Sequence, residues 1–458
     1  MARKRTNLTP LVILLAVILA GLVALAIFLQ LPGLGTDPTE PTPTVTDPPT
    51  DPPTEPPTEP PTDPPVEKTA TATIGAMGDL LMHMPVVNGY YNNGVYNFAA
   101  AFQYLSPIVS KLDYAAINLE TTLCGTDNGF PYQGYPNFNC PDAIVDGAIG
   151  AGFDMMLTAN NHTYDTGHVG FHRTQQVIRD RGMDYIGTRM SEEEKNYLVK
   201  DLNGIRIGMI CYTYNTKITA SGQVDLNWGN LMDAADSPLI NSFNKNQLDS
   251  FYQKLSAELA AMKADGAEAL VLFIHWGDEY ELTPNSTQKA IAQKLCDMGV
   301  DVIIGGHPHV VQPVELLTGT ADESKKTLCI YSLGNAISNQ RLGNVDCPTA
   351  HTEDGALFTV TFAKYSDGTV LVEATEVIPL WVNMYWGSNG KRQYDILPLD
   401  GAAETWQSAM NLSTDRFQQC LASYDRTNAL VSAGTQAAND YFAANQAQVE
   451  AQIGVKKP

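Results

Sequence analysis

Side chains that can bind metal ions follow directly after short apolar runs at five places in this chain. Carboxylates, a side-chain amide and neutral imidazoles are the groups that hold one or two divalent ions, and such ions make water acidic enough to attack an ester near neutral pH. The sequence therefore predicts a metal site that supports hydrolysis. Its candidate ligands and their neighbour are Asp79, Glu120, Asn161, His162, His275, His307 and His309.

The apolar runs have the length and composition of buried strands, and they alternate with amphipathic stretches. Helical spacing of apolar residues runs from Leu248 to Met262 and again from Ile291 to Met298. Asn203-Gly204 and Asp367-Gly368 are dipeptides that favour two-residue hairpins. Together these patterns predict an α/β fold with mixed sheets, in which ligands bind beyond the carboxyl ends of the strands. The predicted strands are 70–77, 114–118, 155–159, 269–274, 300–304 and 327–332.

The histidines are not all interpreted as ligands, because a single histidine is more often a structural residue. His168, His172 and His351 do not follow a predicted strand, and we interpret them as structural. His307 and His309 are separated only by Pro308, so in an extended loop they would point to opposite sides. Each of these two could then serve a different ion.

The order of these motifs resembles the bacterial capsule synthesis (CapA, or PGA_cap) family, which is related to calcineurin-like metallophosphoesterases. The resemblance covers roughly 73–340 and implies a layered, metallophosphoesterase-like α/β fold. It also implies one or two divalent ions (Mn, Fe, Zn or Mg) and a part in the synthesis or export of poly-γ-glutamate or another capsule polymer. The matching segments are Gly78-Asp79, Asn118-Leu119-Glu120, Ala159-Asn160-Asn161-His162, His275-Trp276-Gly277, Gly306-His307-Pro308-His309 and Tyr331-Ser332-Leu333-Gly334-Asn335.

The resemblance implies two sets of metal ligands that share Glu120, which replaces the usual aspartate. Leu81 stands where the first motif of the phosphoesterases has a histidine, and His83 lies two positions further on as a potential substitute. The second set is therefore the smaller one. The implied sets are Glu120, Asn161, His275 and His307 for one ion, and Asp79, Glu120 and His309 for the other.

The resemblance also implies roles around the ions. His162 would be the general acid or the contact to a developing oxyanion, and Asp165 would orient it. Trp276, Glu279 and Tyr280 would either line the substrate pocket or pack behind the ligands. The full set expected at the substrate or in support of the ligands is Asn118, Asn160, Trp276, Glu279, Tyr280, Gln312 and Asn335.

The N-terminal sequence predicts a membrane anchor. Arg3, Lys4 and Arg5 precede an apolar run at 11–31, and the next basic residue is Lys68. Such a run is long enough to span a bilayer, and the positive-inside rule places the N-terminus in the cytoplasm and the remainder outside. A cleaved signal peptide is the alternative, although its apolar core is usually shorter. We expect a single-pass protein of the cell membrane.

The expected organisation has five parts. They are a basic cytoplasmic tail at 1–10, the transmembrane anchor at 11–31, a disordered Pro/Thr-rich acidic linker at 32–68, the metallophosphoesterase-type domain at 69–395 and a helical C-terminal extension at 396–458. Repeated prolines prevent the linker from forming helix or sheet.

The net charge of −22 argues against nucleic acid as a partner, because nucleic acid binding needs basic patches. Two functions stay open. The first is a metal-dependent hydrolase that acts on a phosphoester or on an amide-linked polymer. The second is a non-catalytic, membrane-tethered factor with a structural metal site, which binds capsule polymer or assembles with other capsule-synthesis membrane proteins.

The seven cysteines are not spaced as a zinc motif or as a dense disulfide framework. Cys124 and Cys140 flank a turn-rich loop and could pair outside the cytoplasm. Their pairing depends on a geometry that the sequence does not give.

Overall fold

The computed structural model describes residues 66–344 and 347–455. Every described residue belongs to one compact unit of the chain. The predicted tail, the anchor at 11–31 and nearly all of the linker lie outside the described residues. Within the described part, no helix combines the length and the hydropathy that crossing a membrane requires. The anchor therefore stays a prediction.

Strands and helices alternate along most of the described chain. The strands are β1 Lys68–Leu80, β2 Tyr91–Asn92, β3 Val95–Tyr96, β4 Tyr114–Asn118, β5 Met155–Leu157, β6 Asp184–Ile186, β7 Leu198–Leu202, β8 Ile205–Tyr214, β9 Lys217–Ile218, β10 Val224–Asp225, β11 Ser242–Phe243, β12 Ala269–His275, β13 Val302–Gly306, β14 Val314–Thr318, β15 Lys326–Ile330, β16 Asn335–Ile337, β17 Asp354–Tyr365, β18 Val370–Trp386 and β19 Arg392–Pro398. The α-helices are α1 Met84–Gly89, α2 Ser106–Val109, α3 Ala143–Ala151, α4 Gly167–Asp180, α5 Leu248–Ala264, α6 Ser286–Asp297, α7 Ala403–Ala409 and α8 Thr414–Val455. Short 3-10 turns span Ala99–Phe102, Ser237–Leu239 and Ala350–Glu353.

Two large mixed sheets contain most of the strands. The first has the order β19-β18-β17-β1-β4-β5-β6, with β16 paired to the end of β1. The second has the order β11-β8-β12-β13-β15-β14, with β7 paired to β8. Strands β1, β4, β5 and β6 are parallel neighbours, and so are β8, β12, β13 and β15. The predicted α/β class with mixed sheets is confirmed.

Alternate residues of the central strands face two different cores. In β12, Val271 and Phe273 pack toward the first sheet, whereas Leu270 and Leu272 pack under α5 and α6. Strand β4 behaves likewise, with its opposite face covered by α1 and α3. The result is four layers: helices, sheet, sheet and helices. Because both faces of each sheet are buried, the strands consist of nearly uninterrupted apolar residues.

The predicted elements are present, with differences at their ends. The helix predicted at 291–298 begins earlier, at Ser286, because Asn285 and Gln288 form a reciprocal capping box. The strand predicted at 155–159 ends at Leu157. Asn203 and Gly204 both have positive φ, 54° and 89°, as a two-residue hairpin turn requires.

The C-terminal part begins as the last strand of the first sheet and continues as helices. The sheet extends to Pro398, and α7 and α8 follow. From α8, Val431 and Phe442 join the core between the sheets. Arg426 of α8 makes two hydrogen bonds of 2.8 and 2.6 Å to the buried Asp354 at the start of β17. This ion pair joins α8 to the first sheet.

Candidate metal centre

The carboxyl ends of strands from both sheets deliver the predicted ligands to one place. Asp79 lies near the end of β1, and Glu120 follows β4 by two residues. His275 is the last residue of β12, and His307 is the first residue after β13. Asn161 follows β5 within four residues. All of these ligands therefore come from the carboxyl ends of strands or from the loops that follow them.

Close backbone contacts and unusual backbone angles hold these ends together. A Cβ atom at Gly78 would lie 1.8 Å from the Gly334 carbonyl oxygen, so only glycine lets these segments approach. His307 and His309 have φ angles of 95° and 56°, in the left-handed region that favours glycine. Backbone strain of this kind, on the order of 1–3 kcal/mol per residue, concentrates at functional sites.

The first ligand group contains Glu120, His275 and His307, whose ligand atoms lie within 4.8 Å of one another. Asn161 joins them, because its Oδ1 is 2.8 Å from Nε2 of His275. Glu120 Oε1 is 3.4 Å from the same nitrogen. Burial lowers the pKa of His275 to about 3 and that of His307 well below its usual range. Both imidazoles are therefore neutral, which is the form that binds metal.

The second ligand group contains Asp79, Glu120 and His309. His309 Nδ1 lies 3.1 Å from Asp79 Oδ2, and its Nε2 lies 3.8 Å from Glu120 Oε1. Although burial works against protonation, the hydrogen bond to Asp79 and the charge of Asp79 raise the pKa of His309. A cation at this position would compete with a proton on His309.

Buried polar atoms without partners test whether a metal fits here. Among the residues that the structure describes, Glu120 Oε1 and Oε2 and His307 Nδ1 have no hydrogen-bond partner, and all three atoms are buried. Burial, together with the Asp79 and Glu279 carboxylates, raises the pKa of Glu120 well above its usual range. A buried carboxylate in this position is stable when a cation compensates it. The donor set fits one or two divalent ions.

His162 and Asp165 form a pair beside the ligands. His162 Nδ1 lies 2.7 Å from Asp165 Oδ2, and that oxygen also accepts the Phe138 backbone N–H at 2.6 Å. Asn230 donates to the other Asp165 oxygen at 2.9 Å. The carboxylate is therefore fixed on both sides, and it fixes the imidazole in turn.

Two cavities flank the ligands. One of about 590 Å³ is lined by Tyr214, Trp228, Trp276 and His307. Another of about 500 Å³ is lined by His162, Tyr280 and His309. Asn227 and Glu279 line both cavities. The space available to a ligand thus extends on both sides of the metal-binding residues.

The remaining predicted residues divide by position. Asn160 donates to Asn118 at 3.1 Å, and Asn118 donates to Asp79 at 2.7 Å, so these amides orient a ligand carboxylate. Asn335 donates to the His309 carbonyl oxygen at 3.3 Å and supports the loop of that ligand. Gln312 donates to the Glu281 carbonyl oxygen at 2.7 Å and accepts from Gln288. Trp276 lines the larger cavity and donates to the Tyr331 carbonyl oxygen at 2.9 Å.

The sequence left open whether His83 is a metal ligand and whether Cys124 and Cys140 form a disulfide. His83 is not in either ligand group, and its Nδ1 lies 3.3 Å from the Asn339 backbone N–H. Its ring lines the smaller cavity, and burial lowers its pKa to about 4. Cys124 and Cys140 are buried free thiols, so they do not form a disulfide in the structure.

Several residues of the site were not predicted. Tyr214 ends β8 and lies with its ring centroid 4.8 Å from that of His307. Because residues at strand ends were the pattern used to predict the ligands, the position of Tyr214 could have identified it. Phe138, Asn227 and Trp228 come from loops and gave no such signal, since a loop's path is not readable from periodicity.

Residues 73–340, more than half of the chain, match the family described as bacterial capsule synthesis protein PGA_cap. The chain belongs to this family. The "Capsule biosynthesis protein CapA" of Bacillus anthracis is 27% identical over 67% of this chain and 67% of its own length. The "PGA biosynthesis protein CapA" of Bacillus subtilis (strain 168) is 26% identical over 66% of this chain and 70% of its own. An uncharacterized Sinorhizobium fredii protein is 22% identical over 57% of this chain. The resemblance inferred from the motifs is confirmed.

Proposed function

We propose that this chain is a metal-dependent hydrolase of the phosphoesterase type, anchored at the membrane by 11–31, that acts outside the cytoplasm in capsule-polymer synthesis or export. The observation that supports this most is the position of Glu120. Its two carboxylate oxygens are buried without a partner within the described chain, where two ligand groups share them. A carboxylate shared in this way is the central feature of two-ion hydrolytic sites.

The residues around the ligands have the chemistry that a phosphoester hydrolase needs. A divalent cation held by Glu120 and its neighbours would neutralise charge on the ester oxygens and make water more acidic. His162 would give a proton to the leaving oxygen. Asp165 holds the His162 ring through Nδ1, which leaves Nε2 for that transfer.

The cavities favour an extended substrate. One cavity reaches His307 and the other reaches His309, so a chain molecule could lie across the ligands with its scissile bond between them. Asp278 and Glu279 line the larger cavity and would repel an anionic polymer, although Lys245 also lies in its wall. The cations would therefore supply most of the attraction for an anionic group.

The link to a capsule polymer comes from the family. The Bacillus subtilis relative is named for PGA biosynthesis, and the family model is named for capsule synthesis. We extend this to poly-γ-glutamate or another capsule polymer as the material that this chain helps to make or export. Other capsule-synthesis membrane proteins are the expected partners.

The test uses the full chain purified in detergent. Its metal content and its hydrolysis of simple phosphate mono- and diesters are measured for wild type and for Asn161→Ala, His307→Ala and His162→Gln. The two ligand variants should lose the metal of the candidate centre and the activity together. His162→Gln should keep the metal and lose activity about 100-fold or more. His351→Gln, outside both ligand groups, is the matched control and should keep both.

The outcomes separate the two candidate functions. Bound metal without turnover of any phosphoester, or of poly-γ-glutamate, would favour the non-catalytic polymer-binding or assembly factor. Absence of bound divalent metal in the wild type would contradict both functions. Equal activity in His307→Ala and wild type would remove the ligand assignment.

A further inference from the structure

A third group of potential metal ligands lies outside the candidate metal centre, that is, outside the cluster of ligands at the strand ends (the strand-end cluster). His168 and His172 are one turn apart on α4, and Asp236 precedes the 3-10 turn Ser237–Leu239. Asp236 Oδ2 is 2.9 Å from His168 Nδ1, and Asp236 Oδ1 is 2.8 Å from His172 Nε2. One ligand atom from each residue lies within 4.8 Å of the others. Three metal-binding side chains from two segments thus converge on a small volume.

The donor set is the one that zinc prefers. Two imidazoles and one carboxylate occur together in tetrahedral zinc sites, and histidines four residues apart lie on the same face of a helix. Zinc holds such ligands at about 2.0–2.1 Å, which places the ligand atoms about 3.3 Å apart. The contacts of 2.8 and 2.9 Å are made by different oxygens of Asp236, and a bound ion would replace both of them. The His168 side chain is 56% exposed, so an ion can reach this group from solvent.

The carboxylate is prepared for a cation. Asp236 is 1% exposed, and Tyr164 donates to its Oδ2 at 2.7 Å. Its two oxygens contact one imidazole each, so the side chain is held in one orientation. An outer hydrogen bond such as the one from Tyr164 is typical of a ligating carboxylate.

The same residues connect two segments that border the candidate centre. Loop 226–236, which ends at Asp236, carries Asn227 and Trp228 into the wall of the larger cavity. In this loop Asn230 donates to Asp165, the partner of His162. On the other side, α4 begins two residues after Asp165. A link between Asp236 and α4 therefore holds this loop in place beside the His162–Asp165 pair.

We propose that His168, His172 and Asp236 form a second, structural site for a zinc-type divalent cation, which fastens loop 226–236 to α4. The cavity walls described above do not include these three residues. The ion would act on the candidate centre only through the loop, by holding Asn227, Trp228 and Asn230 in place. The alternative is that hydrogen bonds alone make this connection.

The test measures zinc in the full chain after removal of metal with a chelator and reloading with ZnCl₂. The double variant His168→Gln/His172→Gln keeps side-chain donors near Asp236 but removes two zinc ligands. It should bind one zinc ion fewer per chain than wild type, whereas His351→Gln should match wild type. The single variant His168→Gln changes a half-exposed side chain, and it should weaken zinc binding at this site about tenfold or more.

Hydrogen exchange gives a second, independent measurement. Zinc should slow exchange of peptides from loop 226–236 at least tenfold in wild type and leave it unchanged in the double variant. Equal zinc content in wild type and the double variant would overturn the proposal, and so would exchange in this loop that does not respond to zinc. His307→Ala separates the two sites, because it should lose ions from the strand-end cluster and keep the response of the loop.

Discussion

Replacement of Glu120 by glutamine should stabilise the protein in a chelator, and added divalent ions should offset this advantage. Glu120 is 0% exposed, and neither carboxylate oxygen has a partner among the described residues. When no cation is bound, burial and the nearby Asp79 and Glu279 carboxylates raise the pKa of this carboxyl well above its usual range, so it lowers the stability of the folded protein near pH 7. Glutamine has the same shape and does not have this cost, so Glu120→Gln should be more stable than wild type in a chelator.

With divalent ions present, wild type should gain stability that the variant does not gain. A ligand that binds only the folded state stabilises it by about 2.7 kcal/mol at 100 times its Kd and by about 4.1 kcal/mol at 1,000 times. Because Glu120 belongs to both ligand groups, the variant should lose most of this gain. The difference between the two proteins should therefore shift toward wild type by about 3 to 4 kcal/mol between the two conditions.

The assay is urea unfolding of both proteins at pH 7, once in EDTA and once in excess Mn²⁺ or Zn²⁺. Glu258→Gln is the matched control, because Glu258 is also buried but accepts hydrogen bonds from Tyr212 and Asn196. That variant should lose stability equally in both conditions. If Glu120→Gln is the less stable protein in EDTA, the buried carboxylate has a structural partner and the reasoning about a shared ligand is wrong.

Two further predictions concern stability away from the centre. Arg426→Leu should lower the free energy of unfolding by about 3 kcal/mol, because it leaves the buried Asp354 with the Ser423 hydroxyl but without its cationic partner. Adding Asp354→Asn should recover most of the loss in urea titrations, and an unchanged midpoint in Arg426→Leu would contradict the prediction. Burial raises the pKa of Asp395 to about 6, above its unfolded value near 3.9. Its stabilising contribution is complete below about pH 4 and is lost as the pH rises through 6, on the order of 3 kcal/mol, so Asp395→Asn should flatten the stability profile between pH 4 and 7. A profile identical to that of wild type would show that Asp395 has an unperturbed pKa.

The sequence predicted the central strands because both of their faces are buried. Strand β4, for example, has the predicted ends, since Tyr114–Asn118 is apolar until its final residue. Boundaries set by side-chain caps were harder to predict. The start of α6 depends on the reciprocal contacts of Asn285 and Gln288, which lie outside the apolar periodicity used to find the helix.

Residues of the candidate centre could be predicted where they follow directly after a strand. The structure brings the residues of both implied ligand sets together, whereas Tyr214, Phe138 and Asn227 were missed. Phe138 shows the reason: its backbone N–H reaches Asp165 from 27 residues away through a loop whose path no local pattern encodes. Long-range contacts of loops depend on the assembled fold.

The two kinds of metal-binding cluster also differ in how easily an ion would leave. The strand-end histidines His275, His307 and His309 are all at most 5% exposed, whereas the His168 side chain is 56% exposed. A chelator should therefore remove one zinc ion quickly, from the proposed site on α4, and the others slowly. In stopped-flow chelation, wild type should show a fast phase that is missing from His168→Gln/His172→Gln. If the fast phase persists in that variant, the rapidly exchanging ion belongs to the strand-end cluster, and burial does not control its release.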